Sequence, residues 1–256
     1  MNTDFIKGVI VPIITVIDEE EKINEAAMRA QVDYVINGGL HGILAFGSNG
    51  EFYQIEEEEM ERGFKIMVDQ AAGRVPVYFG IGAINTKKCV RLAKMAVANG
   101  AAGISILQPM FLKPNFNELF LHFKTIAEAV PETPIIMYNV PSRTGCNIQP
   151  ATAVALAKNV KNIVGIKAAS GDLSQIATMM SMADGCIELY SGNDDQVLPI
   201  LSLGGLGVIS VLSNVAPKET HDMVMKFLEG DTKGAAEIQL KAIPLIHALF
   251  SEVNPI

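Results

Sequence analysis

The sequence has few cysteines, and they form neither a disulfide framework nor a metal motif. Only three of its 256 residues are cysteine, Cys89, Cys146 and Cys186, and no two of them make a C-x-x-C motif. The four histidines are equally scattered, and none stands at ligand spacing from another histidine or from a cysteine. We therefore expect reduced thiols, as in cytoplasmic proteins, and no bound metal.

Long apolar runs and a net positive charge are also missing. No apolar stretch reaches the roughly 20 residues that span a bilayer, and residues 1–16 lack the basic start and small-residue cleavage site of a signal peptide. Lysine and arginine number 20 against 28 aspartate and glutamate residues, so the formal net charge is −8. Nucleic acids and anionic membranes need clustered basic residues, so neither is expected as a partner. We predict a cytoplasmic protein.

Three common sequence motifs are absent as well. The chain contains no G-x-S-x-G elbow, which disfavours a Ser-His-Asp hydrolase. After the first apolar run it reads IDEEEKIN at residues 17–24, without the glycines of a dinucleotide fingerprint, so an open doubly wound sheet is disfavoured. The stretch GSNG at 47–50 lacks the following lysine of a phosphate-binding P-loop.

What the chain does contain is an alternation of short apolar runs with longer stretches of helical patterning. Such runs are typical of strands buried on both faces of a parallel sheet. They cover residues 9–16, 42–46, 75–81, 103–107, 134–138, 163–167, 187–190 and 207–211. Because eight strand–helix units predict closure, we expect a (β/α)8 TIM barrel. The barrel is predicted over residues 1–216, with a short C-terminal helical extension packed on it over 217–256.

Lys167 is the most informative single residue, because it closes the apolar run that begins at Ile163. An ammonium group in a strand buried on both faces must be paired, neutralised or used. Desolvation favours the neutral amine, which attacks carbonyl carbons. A strand-end lysine that reaches solvent is the structural alternative.

Other polar residues follow the predicted strands, where the reactive groups of such barrels lie. Tyr138 closes the fifth run and can pass a proton to a developing alkoxide. Arg143, a few residues later, can bind a carboxylate through two hydrogen bonds. Ser48 and Asn49 lie in a glycine-bracketed turn whose N–H groups suit an anion. Each has an ordinary structural explanation when taken singly, and their combination with Lys167 favours a site.

Five motifs in order carry a resemblance to a known family: GSNGE at 47–51, YNVPSRTG at 138–145, GIK at 165–167, SGND at 191–194 and GGLGVIS at 204–210. Along nearly its whole length the chain resembles the dihydrodipicolinate synthase / N-acetylneuraminate lyase family of pyruvate-dependent class I aldolases. The motif YNVPSRTG, complete with its arginine, is most similar to the synthase branch.

The resemblance implies a role for each candidate residue. Lys167 would form a Schiff base with the keto carbon of pyruvate, Tyr138 would shuttle protons, and Arg143 would bind the carboxylate of the partner aldehyde. The substrates would thus be two small molecules. The protonated imine is itself the electron sink, so the implied chemistry uses no metal and no organic cofactor.

The same resemblance places further residues against the substrate and implies an oligomer. The backbone around Ser48 and Asn49 would bind the pyruvate carboxylate, and Gly192 and Ile209 would also contact substrate. Family members are homotetramers or homodimers, which is the expected state here. The C-terminal extension is expected to be shorter than in relatives.

Two departures from the synthase pattern leave the substrate open. Ser48 and Asn49 stand where that branch has two threonines, and Phe111 stands where a tyrosine completes a proton relay across a subunit contact. We predict condensation of pyruvate with aspartate semialdehyde to 4-hydroxy-tetrahydrodipicolinate. One alternative is an aldolase that cleaves a 2-oxo-3-deoxy acid, a 4-hydroxy-2-oxo acid or sialic acid. The other is a catalytically weak relative that binds a 2-oxo acid.

Overall fold

Eight parallel strands form the centre of the structure, a computed structural model that describes residues 7–255. They close into a barrel in chain order, and the last strand pairs with the first. The strands are β1 Gly8–Pro12, β2 Gly42–Ala45, β3 Val77–Ile81, β4 Ile104–Leu107, β5 Ile135–Asn139, β6 Ile163–Ala168, β7 Glu188–Ser191 and β8 Gly207–Ile209. This topology confirms the predicted (β/α)8 TIM barrel.

Helices follow the strands around the barrel, and two more complete the chain. The described helices are α1 Glu25–Asn37, α2 Glu57–Ala71, α3 Thr86–Ala98, α4 Phe116–Glu128, α5 Pro141–Thr144, α6 Pro150–Asn159, α7 Leu173–Ala183, α8 Val197–Ser202, α9 Pro217–Leu228 and α10 Thr232–Ala248. Helix α9 packs against β1 and α10, and α10 also contacts α8. These two helices form the predicted C-terminal extension. None of the helices within residues 7–255 has the length and apolar character that crossing a membrane requires.

Local sequence explains where many of these helices begin. An asparagine or aspartate precedes each of five helices, and its side chain accepts a hydrogen bond from a backbone N–H of the first turn. The five residues are Asn24, Asn85, Asn115, Asp172 and Asp231. At α4 the bond is reciprocal, because the Glu118 side chain also accepts from the backbone N–H of Asn115.

Some elements are shorter than the sequence predicted. Strand β1 ends at Pro12 rather than at residue 16, because the backbone N–H of Ile14 donates to the Asn214 side chain at 3.1 Å. Strand β8 likewise ends at Ile209 rather than at 211, and a short 3-10 turn begins at Leu212.

Apolar side chains fill the barrel and hold the site at one end of it. Six buried inward-facing residues form the interior core: Ile10, Leu44, Tyr78, Ile136, Tyr190 and Ile209. A larger core lies between the strands and the surrounding helices. Since the interior is packed, any substrate must bind above it, at the carboxyl ends of the strands.

Candidate active site

Lys167 and Tyr138 face each other at the carboxyl ends of β6 and β5. The two residues are register partners in neighbouring parallel strands, so their side chains point into the barrel side by side. Lys167 is 2% exposed and Tyr138 is 8% exposed. The Nζ atom of Lys167 lies 4.1 Å from the centroid of the Tyr138 ring. The lysine therefore does not reach solvent, in contrast to the structural alternative.

Gly192 provides the space that the Lys167 side chain occupies. A Cβ atom at this position would lie 3.1 Å from Cε of Lys167 and 2.7 Å from Cβ of Ala169. Contacts as short as these require a neighbouring atom to move. The residue that follows β7 must therefore be a glycine to leave room for the lysine. This explains the glycine of the motif SGND.

Ser48 and Asn49 form a buried 3-10 turn directly after β2. The turn lies close to β3, because a Cβ atom at Gly80 would stand 2.7 Å from the backbone oxygen of Phe46. The Asn49 side-chain amide donates to the side-chain oxygen of Asn254, which belongs to the segment after α10. The turn therefore has little freedom, and its backbone is held at the mouth of the barrel.

Arg143 lies on α5, a single helical turn that begins at Pro141 and ends at Gly145. Gly145 adopts a left-handed conformation with φ 69°, and its N–H donates to the oxygen of Pro141 at 2.9 Å. The exposed guanidinium donates through Nη2 to the backbone oxygen of Asn254 at 3.3 Å. The guanidinium carries further N–H groups, which can donate to a substrate carboxylate.

A cavity of about 270 Å³ connects most of the predicted residues. Six of them line it: Ser48, Asn49, Tyr138, Arg143, Lys167 and Gly192. Phe250, from the segment after α10, also lines this cavity and was not predicted. A space of this size accommodates a small organic acid.

The Ile209 side chain is buried in the interior core of the barrel. It is 1% exposed, packs with Ile10 and Leu44, and is not among the residues that line the cavity. Strand β8 ends at this residue, and the contact of Ile209 with substrate stays a prediction.

Phe111 also lies away from the cavity, in the loop between β4 and α4. It is 87% exposed and adopts a left-handed conformation with φ 73°. A phenylalanine with so much exposed apolar surface takes no part in the site of a single chain.

Asp194 is a buried carboxylate beside the site that sequence reasoning did not single out. It accepts hydrogen bonds from Ser210 Oγ at 2.5 Å and from the backbone N–H of Leu212 at 2.9 Å. Burial raises its pKa, while those two bonds and the charge of Lys167 act to lower it. The Gln239 side chain donates to its backbone oxygen at 2.6 Å. Asp194 therefore joins the loops after β7 and β8 to α10.

Comparisons with known proteins identify the family of the chain. The model of the dihydrodipicolinate synthetase family matches residues 5–256. A 4-hydroxy-tetrahydrodipicolinate synthase of Lachnoclostridium phytofermentans is 43% identical over 249 residues, which are 97% of this chain and 84% of that protein.

Solved structures give the same result at the level of the fold. Dihydrodipicolinate synthase of Thermotoga maritima has a TM-score of 0.95 at 35% identity, over 99% of this chain and 86% of that one. The chloride-inhibited enzyme of Acinetobacter baumannii, solved with pyruvate, has a TM-score of 0.95 at 35% identity, over 98% and 86% of the two chains. This chain belongs to the dihydrodipicolinate synthetase family.

Proposed function

We propose that this chain condenses pyruvate with aspartate semialdehyde to 4-hydroxy-tetrahydrodipicolinate, through an imine on Lys167. The observation that carries the proposal is the buried amine of Lys167, 4.1 Å from the Tyr138 ring centroid. The name of the Lachnoclostridium relative and the pyruvate complex of the Acinetobacter neighbour support the choice of reaction and first substrate.

The first half of the reaction forms the imine. The neutral amine of Lys167 attacks the keto carbon of pyruvate, whose carboxylate accepts hydrogen bonds from the backbone around Ser48 and Asn49. Tyr138 donates a proton to the resulting carbinolamine oxygen, which leaves as water. The low exposure of both side chains keeps bulk water away from these steps.

The second half uses the imine as an electron sink. The protonated imine withdraws electrons, so the pyruvate methyl group loses a proton and becomes an enamine carbon nucleophile. That carbon attacks the aldehyde carbon of aspartate semialdehyde, and the aldehyde oxygen takes up a proton, which balances the one that the methyl group lost. The amino group of the semialdehyde then attacks the imine carbon, which closes the ring and releases the Lys167 amine. Arg143 lies on the same cavity and binds the carboxylate of this second substrate. Exposure of its guanidinium at the mouth is consistent with a substrate that binds after pyruvate.

A second candidate is cleavage of a 2-oxo-3-deoxy acid or 4-hydroxy-2-oxo acid through the same imine. Two observations favour it: the Asn49 amide is bonded to Asn254, and Phe111 carries no hydroxyl group. Assays of pyruvate release from a panel of such acids, beside the condensation assay, distinguish the two reactions. A chain that binds pyruvate without turnover of any of them would be the weakly catalytic 2-oxo-acid binder.

Reduction with borohydride in the presence of pyruvate tests the imine directly. We expect a stable adduct on Lys167 in the mass spectrum, and none in a Lys167→Ala variant. That variant should remain folded and lose turnover by at least about 10³-fold, because no other group supplies the nucleophile. Lys161→Ala, which removes an exposed lysine, is the matched control and should keep both adduct and turnover. A wild-type protein that binds pyruvate without an adduct would contradict the proposal.

We also propose that the chain assembles as a homodimer or homotetramer, as its family resemblance implies. Exposed apolar side chains on α4 and the loop before it supply a surface for a second copy. They are Phe111, Leu112, Phe116 and Leu121. Light scattering after size-exclusion chromatography should give a mass of two or four chains, and a monomer at micromolar concentration would overturn this assignment.

A further inference from the structure

A second, much smaller cavity lies between β2 and β5, beneath the candidate site. Its volume is about 10 Å³, which is the room that one water molecule needs. Ser48 and Tyr138 line both this cavity and the larger one above it. The small cavity therefore shares two hydroxyl-bearing residues with the candidate site.

Ser105 brings a third hydroxyl group to this cavity, from an otherwise apolar strand. Its strand, β4, is buried along its whole length, and Ser105 is 3% exposed. The residue pairs with Gly80 on one side and with Ile136, a member of the interior core, on the other. A serine in this layer is unusual, because a buried hydroxyl group loses its hydration.

The Oγ atom of Ser105 has no hydrogen-bond partner within residues 7–255. Buried hydroxyl groups nearly always have a partner, which is protein or an ordered water molecule. Ser105 Oγ is thus a polar atom beside a cavity of the size of one water molecule, and two further hydroxyl-bearing residues line that cavity. These features meet the requirements of a water site.

We propose that Ser105 binds a water molecule in this cavity, and that the water passes protons between Ser48 and Tyr138. The proposal rests on the imine chemistry proposed above. Ser105 is a positioning residue, since it acts on the reaction only through the water that it holds.

The proton transfers balance as follows. When Tyr138 gives its proton to the carbinolamine oxygen, the phenolate takes a proton from the bound water. The water takes a proton from the Ser48 hydroxyl group, which takes one from solvent in the larger cavity. Each hydroxyl group and the water end with the hydrogen atoms they had at the start. The net change is one proton moved from solvent to the oxygen that leaves as water.

Exchange of the pyruvate methyl hydrogens for deuterium tests the proposal without any aldehyde. This exchange requires the imine, its enamine and proton transfer, and it is followed by NMR in D2O. We expect Ser105→Ala to slow exchange at saturating pyruvate about tenfold, with the KM for pyruvate changed less than about twofold.

Ile136→Val is the matched control, because it also removes one heavy atom from the same layer of the barrel. It should leave the exchange rate unchanged. Equal slowing in both variants, or no slowing in Ser105→Ala, would overturn the relay. A crystal structure of the wild-type protein should show an ordered water within about 3.2 Å of Ser105 Oγ, and an empty cavity there would overturn the water site.

Failure of the wider function is distinguishable from failure of this proposal. If the wild-type protein forms no borohydride-trapped adduct with pyruvate, the imine chemistry is wrong and with it the relay. If the adduct forms normally in both the wild type and Ser105→Ala and their exchange rates agree, only the relay is wrong.

Discussion

The reactivity of Lys167 depends on the absence of one atom at Gly192. A Cβ atom there would approach both Cε of Lys167 and Cβ of Ala169, at 3.1 Å and 2.7 Å. Because the lysine is nearly fully buried, it cannot move outward to relieve this contact. Small displacements of a nucleophile lower its reaction rate, since the reacting atoms must meet at a defined distance and angle.

We therefore expect Gly192→Ala to slow imine formation by about ten- to a hundredfold and to destabilise the fold by about 1–3 kcal/mol. The rate of imine formation is measured by trapping the imine with borohydride at timed intervals, and stability is measured by urea unfolding. Adding Ala169→Gly to this variant removes the 2.7 Å contact and should restore stability, while the contact with Lys167 continues to slow the reaction. An imine rate equal to wild type in Gly192→Ala would show that the lysine does not need this space.

At the level of single residues, the sequence predicts the site where strand position alone decides it. Lys167 and Tyr138 close their apolar runs, so a barrel necessarily brings them to the same end. The contact of Ile209 with substrate stays a prediction, because whether a strand-end side chain points into the core or the site depends on where the short strand ends, and here it lies in the core. Phe250 could not be found either, since its approach depends on how the segment after α10 folds back over the mouth.

At the level of elements, three segments that are distant in the chain are joined by one carboxylate, Asp194. Its side chain accepts from Ser210 and Leu212, and its backbone oxygen accepts from Gln239 on α10. Each side-chain oxygen accepts one of the two hydrogen bonds, Oδ1 from Ser210 and Oδ2 from Leu212. The loops after β7 and β8 are thus held together beside the site.

Replacing Asp194 with asparagine should destabilise the protein by about 1–3 kcal/mol, because the new amide must face either the Ser210 hydroxyl or the Leu212 N–H. The neighbouring Asp195 is exposed, so Asp195→Asn removes the same charge without a buried conflict and should change stability by less than about 0.5 kcal/mol. Urea unfolding of the two variants measures the difference. Equal stabilities would show that Asp194 does not connect these loops.

Element identity was predictable and element ends were not. All eight predicted runs contain a strand, because buried parallel strands are marked by composition over several residues. Their ends depend on side chains from far along the chain, such as the Asn214 side chain that takes the N–H of Ile14. Helix starts are marked locally instead, since an asparagine or aspartate cap lies next to the first turn.

At the level of the whole molecule, stability should depend on pH through the buried His122 and the half-buried His41. Burial lowers the pKa of His122 to about 4 and, together with His221, lowers the pKa of His41. The same groups in the unfolded chain titrate near 6.5. Between those values the unfolded state binds more protons than the folded state, so stability falls as the pH drops below about 6.5. The carboxylate of Glu57, whose pKa is about 2, stays ionised throughout this range.

We therefore expect the free energy of unfolding to be lower at pH 5 than at pH 7, with His122 contributing about 1–2 kcal/mol of the difference. His122 accepts or donates at Nδ1 with the Thr86 hydroxyl at 2.8 Å, and an asparagine can replace that contact. His122→Asn should therefore reduce the slope of stability against pH, as measured by urea unfolding at both values. His247→Asn, at an exposed histidine, is the control and should keep the wild-type slope. If the slopes of the two variants agree, the pH dependence arises outside α4, and burial of His122 is not its cause.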